Sequence, residues 1–368
     1  MEVEVSQSRI AKALNNVSKV AASTKAGLPI LSNVLLRAAD NILSLTATNL
    51  EIAVVEYVNA KSISNGTLTV PAKLLADFVS NLPKDDVNLK ANGDKLAIKC
   101  GTYKSTVNGI LADDYPELPS VNENEALGFK IGVEAFKEAV SQVIVAASND
   151  TSRPALTGVY FNSFEGDIYI AATDGYRLAD RKFVEGVDQQ IKAIVPASTL
   201  RDVLGFINDS MDEIEILISE SLIRFRLGEI EVTSKLIDAS FPDYRKLIPA
   251  TAECTLVLNK AELSRMTKMA ALFAKQSGGS VVCEASQEKQ NFAVCAVASE
   301  LGENVSSIET SVEKDAKVTL NSRYVLDAMN AISDTEVKFS FSGKLAPIVL
   351  RNNKSDNNYT HIIMPLKS

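Results

Sequence analysis

The stretches TLTVPAKLLADFVSNL (residues 67–82), KAIVPASTLRDVLGFI (192–207) and AKVTLNSRYVLDAMNAI (316–332) align with one another without gaps. Pro71, Pro196 and Asn321 take equivalent places in them, and each lies 125 residues from the next. Proline suits the first turn of a helix because its missing N–H would have no intrahelical partner there. Each stretch predicts a strand that leads into an amphipathic helix. The chain therefore contains one sequence repeat three times.

A second strand-and-helix pair recurs near the start of each repeat. It is visible in VEVSQSRIAKALNNVSKVAAS from Val3, FKIGVEAFKEAVSQVIVAAS from Phe129 and LVLNKAELSRMTKMAALFAK from Leu256. In all three, alternating apolar positions indicate a strand, and apolar positions three or four apart then indicate a helix. The residues expected to cap these helices at their N-termini are Ser6, Gly132 and Asn259.

The remainder of each repeat has the alternating pattern of β-strands, separated by turn residues. In the first repeat the predicted strands are Asn33–Arg37, Leu43–Thr48, Glu51–Val58, Val87–Lys90, Lys95–Lys99 and Lys104–Asn108. The segments DDYP (113–116) and SFPD (240–243) close the first two repeats at matching places. We therefore predict an α+β fold of three tandem domains, residues 1–124, 125–250 and 251–368, with strands in one layer and helices in the other.

The charge of the chain is unevenly distributed between these layers. The formal net charge is −8, yet the predicted helix Ser6–Lys25 carries four basic residues and no acidic one. The helix Asn259–Lys275 carries a net +3 and the helix Gly132–Ser148 a net −1, while the three Pro- or Asn-led helices are balanced. A basic helical layer can hold a phosphate backbone, and an acidic exterior repels it. The alternative is that these lysines and arginines simply solvate helix surfaces.

Residues that would mark an enzyme or a metal site are scarce. None of the four cysteines forms a CxxC pair, and the one histidine, His361, is expected to face solvent from a terminal strand. Neither a GxGxxG nor a Walker A motif occurs. We predict no cofactor, no metal, no membrane helix and a cytoplasmic protein. In ATDGYRL (172–178), Asp174 and Arg177 could serve an enzyme, but a turn at Asp174-Gly175 is favoured.

Several motifs in fixed order resemble the bacterial β sliding clamp family, the β subunit of the replicative DNA polymerase III. They are LPILSN (28–33), TNLE (48–51), ATDGYRLA (172–179), TSKL (233–236), FPDYR (241–245) and MPL (364–366). The resemblance covers the whole chain. It implies the DNA clamp fold, in which two head-to-tail copies form a ring with helices inside and antiparallel sheets outside. It also implies a non-catalytic processivity factor in DNA replication.

The same resemblance implies the partners and the residues that contact them. The partners are double-stranded DNA without sequence preference, a second copy of the chain, the polymerase α subunit, the clamp loader, and other polymerases and repair proteins with clamp-binding motifs. A pocket between domains 2 and 3 takes their peptides, lined by Arg153, Leu156, Thr173, Gly175, Tyr176, Arg177, Leu178, Pro242, Leu247, Asn321, Tyr324, Leu345, Pro347, Ile362 and Met364. DNA is expected at Arg9, Lys12, Lys19, Lys25, Lys73 and Arg201. The dimer contact is expected to join Lys104, Thr106 and Val107 to Leu272 and Phe273 of the other copy.

Some positions depart from the family pattern. Ala197 and Ser198 stand where some members have basic residues, Asp150 replaces a glutamine, and Tyr176 replaces a histidine. These departures predict weaker DNA contact in domain 2 and altered partner preference. Two alternatives to the clamp remain: an enzyme using Asp174 and Arg177, and a repeat-built interaction protein unrelated to DNA.

Overall fold

The computed structural model describes residues 1–22, 28–187, 189–343, 345–354 and 358–366. Within this part of the chain there are six α-helices, numbered in chain order: α1 (Gln7–Ala22), α2 (Ala72–Ser80), α3 (Val133–Ile144), α4 (Ala197–Phe206), α5 (Lys260–Ala274) and α6 (Ser322–Ala331). None of these helices is long and apolar enough to cross a membrane.

The strands are short and follow one another in antiparallel ladders. The strands of the first repeat are β1 (Glu2–Ser6), β2 (Asn33–Ala39), β3 (Ile42–Thr48), β4 (Ile52–Asn59), β5 (Lys61–Ser64), β6 (Gly66–Pro71), β7 (Asp86–Asn92), β8 (Lys95–Cys100) and β9 (Tyr103–Asn108). Next come β10 (Leu127–Gly132), β11 (Gly158–Phe164), β12 (Asp167–Thr173), β13 (Arg177–Val184), β14 (Lys192–Pro196), β15 (Glu213–Ile218), β16 (Leu222–Leu227) and β17 (Ile230–Lys235). The last are β18 (Cys254–Asn259), β19 (Ser280–Ser286), β20 (Asn291–Ala298), β21 (Gly302–Glu309), β22 (Ala316–Asn321), β23 (Glu336–Phe341), β24 (Ile348–Asn352) and β25 (Tyr359–Ile363).

The predicted repeat is confirmed by the helix positions. Ala72, Ala197 and Ser322 begin α2, α4 and α6 at the predicted spacing. The prolines, however, do not lie in the first helical turn as predicted. Pro71 ends β6 and occupies the N-cap of α2, with φ −54° and ψ 114°, and Pro196 likewise ends β14 directly before α4. Their fixed φ therefore serves the corner between strand and helix.

Asparagine supplies the cap where proline is absent. The side chain of Asn321 accepts a hydrogen bond from the backbone N–H of Arg323, and that of Asn259 accepts one from Glu262. Each bond satisfies an N–H that has no intrahelical partner, which stabilises a helix by about 1 kcal/mol. The predicted cap at Asn259 is confirmed.

The described chain divides into two compact units. One comprises Met1–Val133 with Arg201–Leu236, and the other Glu134–Leu200 with Ile237–Ser368. The first unit holds a five-stranded sheet in the order β5-β1-β7-β8-β9 and an eight-stranded sheet in the order β10-β15-β16-β17-β4-β3-β2-β6. The second holds an eight-stranded sheet in the order β14-β11-β12-β13-β25-β24-β23-β18 and a four-stranded sheet in the order β21-β20-β19-β22.

The core of each unit lies between its helices and its sheets. In the first unit, Ile10, Leu14 and Val17 form one fully buried stripe of α1, which packs on β3 and β4. Burial of such a side chain contributes roughly 1.5–3 kcal/mol. The helix thus buries its apolar face and leaves its charged face accessible.

His361 is fully buried, which corrects the expectation that it faces solvent. Its strand, β25, lies inside the eight-stranded sheet between β13 and β24, and α6 covers one face. The imidazole Nδ1 lies 2.8 Å from the hydroxyl of Tyr359, which is also within hydrogen-bonding distance (3.2 Å) of the carbonyl oxygen of Gln142 in α3. A strand at the end of the sequence is therefore central in the sheet.

Candidate functional site

The segment 173–177 forms a tight turn between β12 and β13, as predicted. Asp174 Oδ1 accepts hydrogen bonds from the backbone N–H groups of Tyr176 and Arg177, at 2.9 and 3.0 Å. Thr173 Oγ1 donates to the carbonyl of Arg177 and accepts from the N–H of Gly175. Gly175 has φ +92°, a conformation that a side chain would strain. The turn holds Tyr176 outward, where it is 63% exposed.

Arg177 is buried and held on three sides, all within the second unit. Its Nε donates to Asp174 Oδ2 at 3.0 Å and its Nη1 to Asp327 Oδ2 of α6 at 2.5 Å. Its guanidinium also lies 4.5 Å from the ring centroid of Tyr324. A buried arginine with two carboxylate partners keeps one geometry and stays charged. It is thus a cationic group held in a fixed position.

A hollow of about 280 Å³ opens beside this arginine. It is lined by Ala147, Ser148, Asn149, Asp150, Arg153, Asp174, Tyr176, Arg177, Arg323 and Tyr324. Four of the predicted pocket residues, Arg153, Tyr176, Arg177 and Tyr324, are therefore brought together. The hydrogen bond from Ser152 N–H to Asp150 holds the pKa of this carboxyl below its usual range, so Asp150 adds a negative charge to the rim.

An apolar cluster lies on the strands next to the turn. Leu178 pairs with Ile362 across β13 and β25, and both pack with Ala171 and Tyr244. Phe241 and Ile248 pack against the cluster from the segment that also carries Pro242 and Leu247, and these last two side chains are exposed. Of the predicted apolar pocket residues, Leu178 and Ile362 are thus buried and form the floor of the site, whereas Pro242 and Leu247 are exposed at its rim.

The end of the described chain runs along the same region. Met364 donates its backbone N–H to the carbonyl of Tyr176, and Leu366 donates to the carbonyl of Thr319, each at 2.8 Å. The side chain of Met364 remains exposed. These two bonds fix the C-terminal segment beside the turn.

The other predicted pocket residues line neither the hollow nor the apolar cluster. Leu156 is buried in a 3₁₀ turn that follows Arg153, and Thr173 is used within the turn described above. Asn321 caps α6, so its side-chain oxygen is engaged by Arg323 N–H. Leu345, 80% exposed, and Pro347, half-buried, lie between β23 and β24.

Sequence reasoning missed three groups of this region: Asp327, Arg323 and Tyr244. Asp327 lies four residues after Arg323 on α6, but that separation is 4.0 Å and the close partner of Asp327 is Arg177. The 150 residues between Arg177 and Asp327 leave no local signal for this pair. Only the DY pair shared by FPDYR and DDYP could have pointed to Tyr244.

Cationic side chains cover the accessible face of the helices in the first unit. Arg9, Lys12 and Lys19 on α1, Lys73 on α2 and Arg201 on α4 are all exposed. Lys25 lies outside the described residues. Lys19 Nζ lies 5.7 Å above the ring of Phe206. Burial raises the pKa of two nearby acids, Glu56 and Asp202. Other acids stay exposed: Asp77 on α2, and Asp212, Glu213 and Glu229 beside Arg9 and Lys12. The helices of this unit therefore offer positive charge to solvent with exposed acids beside it.

The predicted dimer residues lie on a free sheet edge and on a helix end. β9 is an outer strand of the five-stranded sheet, with Lys104 and Thr106 exposed, whereas Val107 is buried inside the chain's own core. Val107 could contribute only backbone groups to a partner. On α5, Leu272 is 60% exposed and Phe273 half-buried.

A second free edge was not predicted from the sequence. β21 is an outer strand of the four-stranded sheet, and it exposes Val305, Glu303 and Glu309. Val297, on the adjacent strand β20 and opposite Glu303, is also exposed. At β9, Lys104 lies directly opposite Lys99 of β8. Two like charges in this position repel each other. One edge is thus cationic, and the other apolar and anionic.

The described residues contain no cluster of three or more His, Cys, Asp or Glu side chains that could hold a metal ion. The turn 173–177, the apolar cluster, the exposed cations and the two sheet edges are features that suit the binding of macromolecules.

Comparison with known proteins agrees with this fold along the whole chain. Three family models match in succession: the N-terminal domain of the DNA polymerase III β subunit at residues 1–119, its central domain at 130–243 and its C-terminal domain at 245–367. The chain is 28% identical over 380 residues to a β sliding clamp of Staphylococcus aureus, with both proteins covered completely.

Solved structures show the same fold. The DNA polymerase sliding clamp of Bacillus subtilis superposes with a TM-score of 0.94 at 23% identity, over 100% of this chain and 99% of that one. The DNA polymerase III β subunit of Pseudomonas aeruginosa superposes with a TM-score of 0.93 at 24% identity, with both chains covered completely. The predicted α+β clamp fold is confirmed, and this chain belongs to the bacterial β sliding clamp family, the β subunits of DNA polymerase III.

Proposed function

We propose that two copies of this chain close head to tail into a ring around duplex DNA and tether the replicative polymerase to its template. The observation that carries the proposal is the succession of all three β-subunit domains along one chain. The protein acts by binding alone, without catalysis, in the cytoplasm where bacterial replication takes place. Within this proposal the domains are residues 1–124, 125–250 and 251–368.

DNA is held by the exposed cations of the helices. The exposure of Arg9, Lys12, Lys19, Lys73 and Arg201 supports these residues as phosphate contacts. Contacts to phosphates position a protein on DNA and carry no sequence information. Such contacts suit a protein that must move along any duplex.

The two copies join through the free edges of their sheets. β9 of one copy pairs with β21 of the other, so that both outer strands satisfy their backbone groups. Lys99 and Lys104 are then neutralised by Glu303 and Glu309 of the partner subunit, while Leu272 and Phe273 are covered. The contact uses two different surfaces, and two such contacts close a ring.

Partner proteins dock short peptides at the turn 173–177 and its surroundings. Leu178 and Ile362 form the apolar floor, Pro242, Leu247 and Met364 the rim, and Arg153 and Tyr324 line the neighbouring hollow. Apolar anchors of such peptides contribute roughly 1.5–3 kcal/mol each when buried. The partners are the polymerase α subunit, the clamp loader, and other polymerases and repair proteins that carry clamp-binding motifs.

Truncation of the chain after Ile363 tests the tethering function. The truncated chain lacks Met364 and Leu366, and with them the two hydrogen bonds that fix the segment beside Tyr176 and Thr319. We expect the full chain to lengthen the products of the replicative polymerase on a primed circular template, and the truncated chain to lose this effect.

Sedimentation of the truncated chain provides the control. Its mass should remain that of two copies, because β9, α5 and β21 are intact. Products of full length with the truncated chain would contradict the proposed docking site. A full chain that never lengthens the products would contradict the function itself.

A further inference from the structure

Tyr244 anchors to the sheet the segment 241–248, which carries Pro242 and Leu247 to the rim of the docking site. Tyr244 is buried in the apolar cluster, and its hydroxyl donates to Asp180 Oδ1 of β13 at 2.6 Å. The same hydroxyl accepts a hydrogen bond from Asn162 Nδ2 of β11 at 3.2 Å. The tyrosine therefore ties this segment to two strands of the sheet.

The residues on either side of Tyr244 are also fixed. The guanidinium of Arg245 lies 3.9 Å from the ring centroid of Phe164 and 4.3 Å from that of Tyr169. Such cation–π contacts stabilise a cation most when water is excluded. Phe241 stacks on Tyr160 with the ring centroids 4.8 Å apart. The backbone between residues 241 and 245 is thus held at three successive points.

This arrangement places an acid in the protein interior. Burial raises the pKa of Asp180, although the hydrogen bond from Tyr244 and the charges of Arg245 and Arg351 act in the opposite direction. A buried carboxylate costs stability unless it is paired, and an apolar pair of similar shape is often at least as stable. The network is therefore poorly explained by stability alone.

The first sequence repeat shows what the fold needs without this network. Its strands β2, β3 and β4 have the same bounds, shifted by 125 residues, as β11, β12 and β13. Tyr115 corresponds to Tyr244 in the Asp-Tyr pair shared by DDYP and FPDYR, is likewise buried, and donates its hydroxyl to the carbonyl of Thr46 at 3.3 Å. The tyrosine anchor is thus common to both repeats.

The polar and aromatic residues that contact Tyr244 and Arg245 in the second repeat are absent from the first repeat. The positions equivalent to Asp180, Asn162, Phe164 and Tyr169 hold Val55, Arg37, Ala39 and Ser44. Pro116 follows Tyr115 where Arg245 follows Tyr244. The carboxylate network therefore accompanies the repeat that bears the proposed docking site.

We propose that Asp180, Asn162 and Arg245 are positioning residues that hold the segment 241–248 in the conformation that receives a partner peptide. The inference rests on the proposed docking function. The network keeps Pro242 and Leu247 at the rim before the peptide arrives, so that binding does not require ordering of the segment. Release of Tyr244 lowers the fraction of molecules able to bind and raises the apparent Kd by the same factor.

The substitution Tyr244→Phe tests this role because it keeps the ring in the cluster and removes only the hydroxyl. The probe is a fluorescein-labelled peptide that copies the clamp-binding motif of the polymerase α subunit, titrated against the full-length protein. We expect an apparent Kd about tenfold higher, which corresponds to release of the segment in about nine molecules of ten. Amide hydrogen exchange in residues 241–248 should accelerate by a similar factor.

Two further variants separate positioning from general destabilisation. Asp180→Asn keeps an oxygen that accepts from Tyr244, so its Kd should stay within about twofold of the wild-type value. Tyr115→Phe removes the matching hydroxyl in the first repeat and should leave peptide affinity unchanged.

The results of these titrations distinguish failure of the docking function from failure of the positioning role. If the wild-type protein does not bind the peptide, the proposed docking function fails. If the wild-type protein binds and Tyr244→Phe binds equally well, or if Tyr115→Phe weakens binding as much, the positioning role fails while docking stands. The positioning role also fails if Tyr244→Phe weakens peptide binding but amide hydrogen exchange in residues 241–248 is no faster than in the wild-type protein.

Discussion

At the scale of single residues, His361 shows how position in a sheet determines chemistry. It is the one histidine of the chain, and the residues on both sides of it indicate a terminal strand from which it was expected to face solvent. Burial, assisted by the nearby charge of Arg177, lowers the pKa of His361 to about 3. The imidazole is therefore neutral throughout the physiological range. This corrects its expected exposure.

The lowered pKa predicts a loss of stability in mild acid. The unfolded chain binds a proton at His361 below about pH 6.5, whereas the folded chain binds it only near pH 3, so protonation favours unfolding between these values. From pH 7 to pH 5 this group alone should cost about 2 kcal/mol of unfolding free energy. Urea denaturation of the wild type and of His361→Gln should differ by about that amount in their pH dependence.

Nuclear magnetic resonance of the imidazole checks the premise directly. Since the chain has one histidine, its signals can be assigned without mutation. They should stay those of a neutral ring from pH 8 to pH 5. Titration with a midpoint near 6.5 would contradict the burial of this side chain.

The docking residues divide into those that the sequence could reveal and those that it could not. Gly175 was predictable because a turn after Asp174 needs a residue with positive φ. Asp180 and Asp327 were not, because each acts through a partner more than sixty residues away, Tyr244 and Arg177 respectively. Pairs of this kind depend on strand order, which local periodicity does not determine.

At the scale of secondary-structure elements, periodicity gave most of the fold. The six strands predicted in the first repeat are confirmed as β2, β3, β4, β7, β8 and β9, with ends differing by a few residues. The short strand β5 was missed because its four residues, Lys61–Ser64, are too few and too polar for a clear alternation. The free edge at β21 was missed because a sequence does not tell which strand is outermost.

The charges of the two free edges predict how copies recognise each other. The double substitution Lys99→Glu with Lys104→Glu makes β9 acidic, and Glu303→Lys with Glu309→Lys makes β21 basic. Each variant alone brings like charges together in both contacts of the ring. Since one exposed pair is worth about 0.2–1 kcal/mol, we expect the dimer Kd to rise on the order of 10- to 100-fold.

Mixing the two variants is the decisive measurement. In a head-to-tail ring, the acidic β9 of one copy meets the basic β21 of the other, and the unmodified edges meet at the second contact. Sedimentation of the equimolar mixture should therefore restore dimers at wild-type strength. Lys95→Glu, on the same sheet outside the Lys99–Lys104 pair, should leave the wild-type dimer unchanged. A mixture as weak as the single variants would exclude this pairing.

At the scale of the whole molecule, net charge and local charge act in opposite directions. A chain of net charge −8 should avoid nucleic acid, yet its first unit exposes Arg9, Lys12, Lys19, Lys73 and Arg201 on three helices. The sequence predicted this separation, because helix periodicity alone places those residues on polar faces. The ring itself has no local signature, since it depends on how copies meet, and it stays a proposal.

If the protein encloses DNA, its rate of dissociation should depend on whether the DNA has free ends. Binding by surface contact alone predicts no such dependence. A protein that binds phosphates by contact alone dissociates from circular and linear DNA at the same rate at a given salt concentration. A closed ring leaves a circle only by opening, but it slides off a linear molecule. Topology of the DNA therefore separates the two modes of binding.

The most direct measurement is retention on one plasmid before and after a single cut. The protein is placed on a nicked circular plasmid with a clamp loader and ATP, separated from free protein by gel filtration, and then exposed to a restriction enzyme with one site. A closed ring should stay on the uncut circle and should leave the linearised plasmid within the time of cleavage. Equal retention on cut and uncut DNA, or equal loss from both, would contradict enclosure.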